Sequence, residues 1–329
     1  MSRKIALITG IFGQDGSYLC ELLMDKGYKV YGIEKKPLPE NSRKIKRYLA
    51  SNGYKPAVID CDLYSYDDVA SVIKKIMPDE VYHLAATHYS SQSKGAADKL
   101  DRRLFNENVS STLNLLTVLE EYSHKTRCVL VGSCLMFDAS KKSPQDERTP
   151  FKSGSMYGLA KIIENRMGRH FRGQGMQVSM AIFYNHESPR RSESFVTKKI
   201  VKNMVLVKRG KINSFELGNL DTVKDWGYAK DYVKGLWQIC RRKTPGDYIL
   251  ATGQGHTVKD FVEETARALD IDVWRKHVKI NPGIISRKVN TPLIGNASLA
   301  RKRLGWKNTV NFRRLVRLMV NNELRNGMD

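Results

Sequence analysis

The chain has 329 residues, 41% of them hydrophobic and spread along its whole length, enough to bury a substantial core and to exclude a disordered polypeptide. A net charge of +22 points toward anionic partners: nucleic acid, lipid headgroups or phosphorylated small molecules. The basic pairs and triplets (Lys35-Lys36, Arg102-Arg103, Arg190-Arg191, Lys198-Lys199, Arg241-Arg242-Lys243, Arg301-Lys302-Arg303) are scattered with no nucleic-acid-binding fingerprint, so solvated helix faces are the expectation and nucleic acid is not the expected partner.

No apolar run reaches the length of a membrane span, and the amino end reads as a strand instead of a signal peptide. A cytoplasmic location without a membrane partner is the expectation. Five cysteines, Cys20, Cys61, Cys128, Cys134 and Cys240, include no Cys-x2-Cys pair and read as reduced core thiols. Seven histidines show no ligand spacing, so no metal is expected.

In chain order, the first strand, near 4–9, runs into Gly10-Ile-Phe-Gly13-Gln14-Asp15-Gly16 and a helix near 14–26. Glycines at a strand–helix turn let backbone N–H groups and a helix N-terminus approach a pyrophosphate, so Gly10, Gly13, Gln14, Asp15 and Gly16 are candidate dinucleotide contacts. A second strand, near 28–33, leads to Glu34, an acid suited to ribose hydroxyls and repelling a 2′-phosphate; Lys35 and Lys36 follow and favour that phosphate. The cofactor is therefore NADP or NAD. After a third strand, near 56–60, Asp62 and Leu63 are candidates for the adenine side, with a helix cap as the alternative for Asp62.

Strands near 79–84, 127–133 and 178–184 alternate with helices near 66–76, 106–122 and 154–173, which predicts an α/β fold, a Rossmann-type doubly wound parallel sheet. The fifth strand ends at Ser133, and the next helix carries Tyr157 and Lys161. Four positions apart on a helix, the ammonium can lower the phenol's pKa, and the phenolate can take a proton from a secondary alcohol whose oxygen Ser133 also binds. Alone, the Tyr–Lys pair could be an ordinary surface pair; in this order, the parts specify alcohol–ketone chemistry on a nicotinamide. Asn108 reads as a relay residue or as a polar helix residue.

Beyond Asn185 the pattern changes to a polar, basic stretch and helices near 195–209, 229–241, 258–269, 297–304 and 312–324. The expected division is a dinucleotide domain over 1–180 and a smaller α/β substrate lobe over 181–329, some of whose segments can return to the first domain.

The Gly-x2-Gly-x2-Gly spacing, with Ala6-Leu-Ile-Thr-Gly10, Asn185-His-Glu-Ser-Pro-Arg-Arg191, Phe195-Val-Thr-Lys-Lys-Ile200, Leu217-Gly-Asn-Leu-Asp221, Lys224-Asp-Trp-Gly227 and Ala251-Thr-Gly253, resembles the extended short-chain dehydrogenase/reductases, specifically the GDP-mannose 4,6-dehydratase family. That resemblance implies a GDP-linked hexose or heptose as substrate and a homodimer or homotetramer. It assigns Asn185, Lys199 and Lys224 to the diphosphate, His88, Leu217, Gly218 and Arg287 to the substrate, and Arg191 to the cofactor, with exposed loop charge as the alternative for Arg190 and Arg191.

Two departures stand out. The family's Thr-Ser-Glu becomes Ser133-Cys134-Leu135, and leucine moves no proton; Asp138, three residues on, is expected to cap its loop. The family's Arg-Pro-x-Glu-Val becomes Arg287-Lys-Val-Asn290. Gly132-Ser133-Cys134-Leu135 also resembles the branch that makes GDP-fucose. The leading expectation is a C4 oxidoreductase or epimerase, the alternatives a 4,6-dehydratase using another base and a non-catalytic cofactor-binding interaction protein.

Overall fold

The computed structural model describes residues 3–88, 97–284 and 291–326. Its centre is a seven-stranded parallel sheet built from β1 (Ile5–Thr9), β2 (Lys29–Glu34), β3 (Ala57–Asp60), β4 (Glu80–His83), β5 (Arg127–Ser133), β6 (Gln177–Phe183) and β10 (Asp247–Leu250). The spatial order is β10-β6-β5-β4-β1-β2-β3, so the chain reverses direction across the sheet between β1 and β4. Ligands bind at that crevice, beyond the carboxyl ends of the strands, in folds of this kind. Strands covered on both faces must be apolar throughout, which is why Ala6, Leu7 and Ile8 are all fully buried.

Helices α1 (Gln14–Asp25), α2 (Glu40–Ser51), α3 (Tyr66–Ile76), α4 (Ala97–Tyr122), α5 (Met156–Gly173) and α7 (Ala229–Cys240) flank the sheet. One apolar core fills the face under α3, α4 and α5 and another the face under α1 and α7. The second lobe holds β7 (Asn185–Glu187), α6 (Val196–Lys208), β8 (Phe215–Leu217), β9 (Val223–Tyr228), β11 (Gly255–Thr257), α8 (Val258–Ala268), β12 (Val278–Ile280) and α10 (Phe312–Asn326), while α9 (Ser298–Leu304) packs on α7 and β10 of the sheet. Its own core joins Ile200, Met204, Trp226, Phe261 and Leu315.

The two lobes are threaded through each other. Beyond residue 180 the chain supplies α7, packed on α1, and β10, hydrogen-bonded along β6. Trp306, fully buried in the first domain's core, donates from Nε1 to the Asp231 carbonyl at 2.7 Å. Two details depart from the sequence reading. Helix α2 was not expected, because only Ile45 and Leu49 of its twelve residues are buried and the rest is charge-rich. Helix α4 begins at 97, nine residues before the predicted start. All five cysteines are free and buried. No helix among the described residues is long and apolar enough to cross a membrane.

Candidate active site

The glycine turn lies at the carboxyl end of β1, beside the sheet's switch point. Gly10 has φ +69°, which favours glycine, and a Cβ on Gly16 would overlap the Gly10 carbonyl. The Gly13 amide closes the turn on that carbonyl at 3.0 Å, and no side chain caps α1. Its first N–H groups are left for an anion, so the turn fits a dinucleotide's pyrophosphate.

Glu34 ends β2 and accepts the Phe12 amide through Oε1 at 2.8 Å; burial pushes its carboxyl up, and that hydrogen bond opposes the shift. The adjoining cleft is walled by Gly10, Glu34, Lys35, Asp62, Leu63 and Asn108. Lys35 is tied to Asp62 by a 2.6 Å ion pair, and Lys36 stands 3.5 Å from Asp60. The cap of α3 is Ser65, whose side chain accepts the Asp68 amide, so Asp62 belongs to the cleft wall and not to a helix cap.

Gln14 and Asp15 turn their side chains to the 185–191 segment. Gln14 donates to the His186 carbonyl at 3.1 Å and accepts from Ser188 at 2.8 Å, while Asp15 pairs with His186 at 2.8 Å. What they offer a cofactor is backbone. Arg190 donates to Ser17 at 2.9 Å, pairs with Glu21 and lies 4.0 Å over the Tyr18 ring; Arg191 pairs with Glu187 at 3.1 Å and lies 3.4 Å over the Phe195 ring. With side chains 10% and 17% exposed, they are built into the structure, in contrast to the exposed-loop alternative.

Ser133 ends β5, and its Oγ accepts the Leu135 amide at 3.2 Å, starting a short 3-10 helix over Cys134–Phe137. Ser155 caps α5 by accepting the Gly158 amide at 3.1 Å. A Cβ on Gly158 would clash with Ser153 Oγ and the Leu135 carbonyl, so the backbone of position 135 abuts the first turn of α5, which carries Tyr157. The Lys161 ammonium is 5.7 Å from the Tyr157 ring centroid. Burial pushes the Tyr157 phenol up, and Lys161 pulls it part of the way back. The His88 ring meets Tyr157 edge to face at 4.7 Å and stacks on Phe195 at 5.6 Å.

Asn185 reaches this centre through Cys134, whose Sγ lies 3.6 Å from Asn185 Oδ1. Burial pushes the Cys134 thiol up to about 11, with the Lys224 ammonium opposing it, so Lys224 also flanks the end of β5. Lys199 stands half-buried in the first turn of α6. Leu217 is fully buried in the second lobe's core, which leaves only its backbone for a ligand, and a Cβ on Gly218 would sit 2.7 Å from the Ile284 carbonyl. Arg287 lies outside the described residues.

Asp138 accepts the Gly154 amide at 2.6 Å and so caps its loop. Asn108, 2% exposed, accepts the Thr87 amide at 3.1 Å and donates to the Thr87 and Leu104 carbonyls; its amide fixes the segment leading to His88. Sequence reasoning missed Glu164, which binds Lys161 at 2.9 Å in full burial; the i, i+3 spacing Lys161-x2-Glu164 was the available signal.

A glycine turn at the switch point of a parallel sheet, with Ser133 closing the adjacent strand and Tyr157 and Lys161 on the helix that follows, defines an NAD(P)-dependent short-chain dehydrogenase/reductase of the extended, epimerase/dehydratase type. The sequence profile of GDP-mannose 4,6 dehydratase matches residues 7–319, and the chain belongs to that family. GDP-mannose 4,6 dehydratase 2 of Arabidopsis thaliana is 36% identical over 333 residues, covering 98% of this chain and 87% of its own. Among solved structures, dTDP-glucose 4,6-dehydratase from Bacillus anthracis in complex with NAD superposes with a TM-score of 0.84 at 16% identity, over 98% of this chain and 97% of that one. The RMD protein of Pseudomonas aeruginosa complexed with NADPH gives 0.77 at 18% identity, over 98% and 99%. These two likenesses speak for the fold alone.

Proposed function

We propose that this protein oxidises or reduces C4 of a GDP-linked, mannose-like hexose or heptose with NAD(P), and that the water elimination named in its family is suppressed. The observation that carries this reading is Leu135. Position 135 abuts the Tyr157 turn but holds no acid, the nearby Asp138 is engaged by Gly154, and burial keeps the Cys134 thiol protonated. Losing a general acid–base group slows its step by about two to four orders of magnitude.

The cofactor supplies the hydride acceptor or donor. Tyr157 exchanges the proton of the C4 oxygen, Ser133 holds that oxygen, Lys161 stabilises the phenolate, and Asn185, Lys199 and Lys224 bind the diphosphate. Hydride returned to the opposite face would make the same residues an epimerase. NAD is the preferred cofactor in this reading, because Glu34 places a carboxylate at the ribose edge while Lys35 is neutralised by Asp62. Leu113 on α4 and Leu159 on α5, 45% and 40% exposed, offer an apolar face for a second copy of the chain.

One observation favours a second reading. His88 meets the Tyr157 ring, and a histidine there can replace the carboxylate as the group that moves the C5 proton, which would restore a 4,6-dehydratase.

Incubation with GDP-mannose and NAD or NADP in deuterated water, read by mass spectrometry and NMR, decides between them. A C4 ketone or epimer retaining its C6 oxygen is expected, and Leu135→Glu should add water loss. A product that has lost one water in the wild-type chain sinks the leading reading and favours the His88 route.

A further inference from the structure

Glu164 is 1% exposed, and its only described ion pair is with Lys161, 4% exposed, at 2.9 Å from Oε2; Oε1 is buried with no partner of good hydrogen-bond geometry. As a stabilising device this is a poor choice, because a buried ion pair returns little over an apolar pair of the same volume. Its placement points to chemistry. The ammonium it holds is the same one that acts on Tyr157 one helical turn earlier.

The wall behind Glu164 is equally defined. Thr9 Oγ1 accepts the amides of Leu84 and Ala85, both at 3.0 Å, which fills its two lone pairs. Its hydroxyl must then donate to His83 Nδ1, at 3.0 Å. Burial and the Lys161 charge push the His83 imidazole down to about 3, so it is neutral, carries its proton on Nε2 and donates to Thr112 Oγ1 at 3.1 Å. The Thr112 hydroxyl is left to assist the Glu164 carboxylate. A directed line thus runs from the end of β1, next to the glycine turn, through β4 and α4 to the catalytic ammonium on α5.

We propose that Glu164 is a positioning residue which shares the Lys161 ammonium with Tyr157 and so keeps the resting phenol protonated, ready to give its proton to a C4 carbonyl. The inference rests on the hydride-transfer reading of the site. The groups facing Tyr157 are Lys161 and Glu164 from its own helix, Cys134 from the turn after β5, Arg191 from the 185–191 segment and the His88 ring, edge to face at 4.7 Å; His83 on β4 and Thr112 on α4 face Lys161 and Glu164. Burial is the largest influence holding the phenol protonated; among the charged groups, Lys161 and Arg191 favour the phenolate, and Glu164 is the principal one that opposes them. Removing its charge without changing its shape should lower the pH at which Tyr157 ionises.

The test titrates Tyr157 directly, without substrate, by NMR of chain labelled at tyrosine Cζ, with the Tyr157→Phe variant identifying the signal. Glu164→Gln is expected to ionise about one unit below the wild-type chain, and Glu164→Asp to restore most of the difference. Thr112→Val, which weakens support for the carboxylate while keeping the ion pair, is expected to shift in the same direction by less, and serves if Glu164→Gln does not fold. A Tyr157 midpoint in folded Glu164→Gln or Thr112→Val that equals or exceeds the wild-type midpoint overturns the proposal. The rising limb of kcat/KM for alcohol oxidation should move with the NMR midpoint. A shifted Tyr157 titration in a chain that turns over no sugar nucleotide would leave the Glu164 inference standing and sink the hydride-transfer reading.

Discussion

A single carboxylate decides each end of the site. In the proposed function, the absence of an acid at position 135 suppresses elimination and the carboxylate at position 34 favours NAD. The Glu34 carboxylate accepts the Phe12 amide at 2.8 Å, which in the proposed cofactor site would hold its charge against a 2′-phosphate. Replacing Glu34 with Ala should tighten NADP binding about tenfold, or about 1.4 kcal/mol, and weaken NAD binding. Fluorescence titration with both reduced cofactors checks this; equal effects on the two would show that Glu34 does not read the ribose. Tyr157 and Lys161 were legible in the sequence because an i, i+4 pair lies on one helix face whatever the tertiary structure. Glu164 escaped notice because its role depends on burial, which spacing does not reveal.

At the scale of elements, the site is held by the docking of the 185–191 segment onto α1. Burial pushes Asp15 up, but the charge and hydrogen bond of His186 outweigh it and hold Asp15 below its usual range. The same pair raises His186 above 6.5 against the opposing effect of burial. The sign follows: His186 contributes its full stability below pH 6.5 and loses it as pH rises through the folded-state value, while the Asp15 contribution is lost only when pH falls below the usual carboxylate range. His83 acts the other way. Buried neutral, with its value near 3, it contributes stability above pH 6.5 that is lost as pH falls toward 3. Thermal melts should show His186→Gln costing about 1 kcal/mol at pH 6 and less at pH 8.5. The wild-type chain should also lose stability steadily below pH 6.5, and His83→Asn should flatten that loss. A cost for His186→Gln that does not change with pH would mean that the segment is held by packing alone.

Over the whole molecule, Asp225 on β9 fastens the second lobe to the first. Fully buried, its carboxylate accepts the amides of Thr252, Gly253 and Gly295 at 2.9, 2.9 and 3.2 Å, and the Thr252 hydroxyl at 2.6 Å. These donors join the strand that carries Lys224 to the end of β10 and to the chain returning at 295, so the phosphate-binding candidates are placed by the same junction that closes the fold. Burial pushes the carboxyl up, and the four hydrogen bonds pull it part of the way back. Asp225→Asn replaces an acceptor by a donor facing other donors, and urea unfolding should show a loss of about 3 kcal/mol. A change under about 0.5 kcal/mol would show that the junction does not depend on this charge.

The sequence by itself determined the doubly wound sheet, the glycine turn and the Ser133, Tyr157 and Lys161 set, because these follow from local periodicity and from residues close in the chain. The family resemblance also exposed Leu135, since an acid missing from the family's Thr-Ser-Glu needs no coordinates to be noticed. Only the tertiary structure decided which charges are spent: Lys35 on Asp62, Lys161 on Glu164, Arg190 on Glu21. Partners separated by up to 169 residues are brought together by folding alone, and whether a charge is free to meet a ligand depends on what folding has placed beside it.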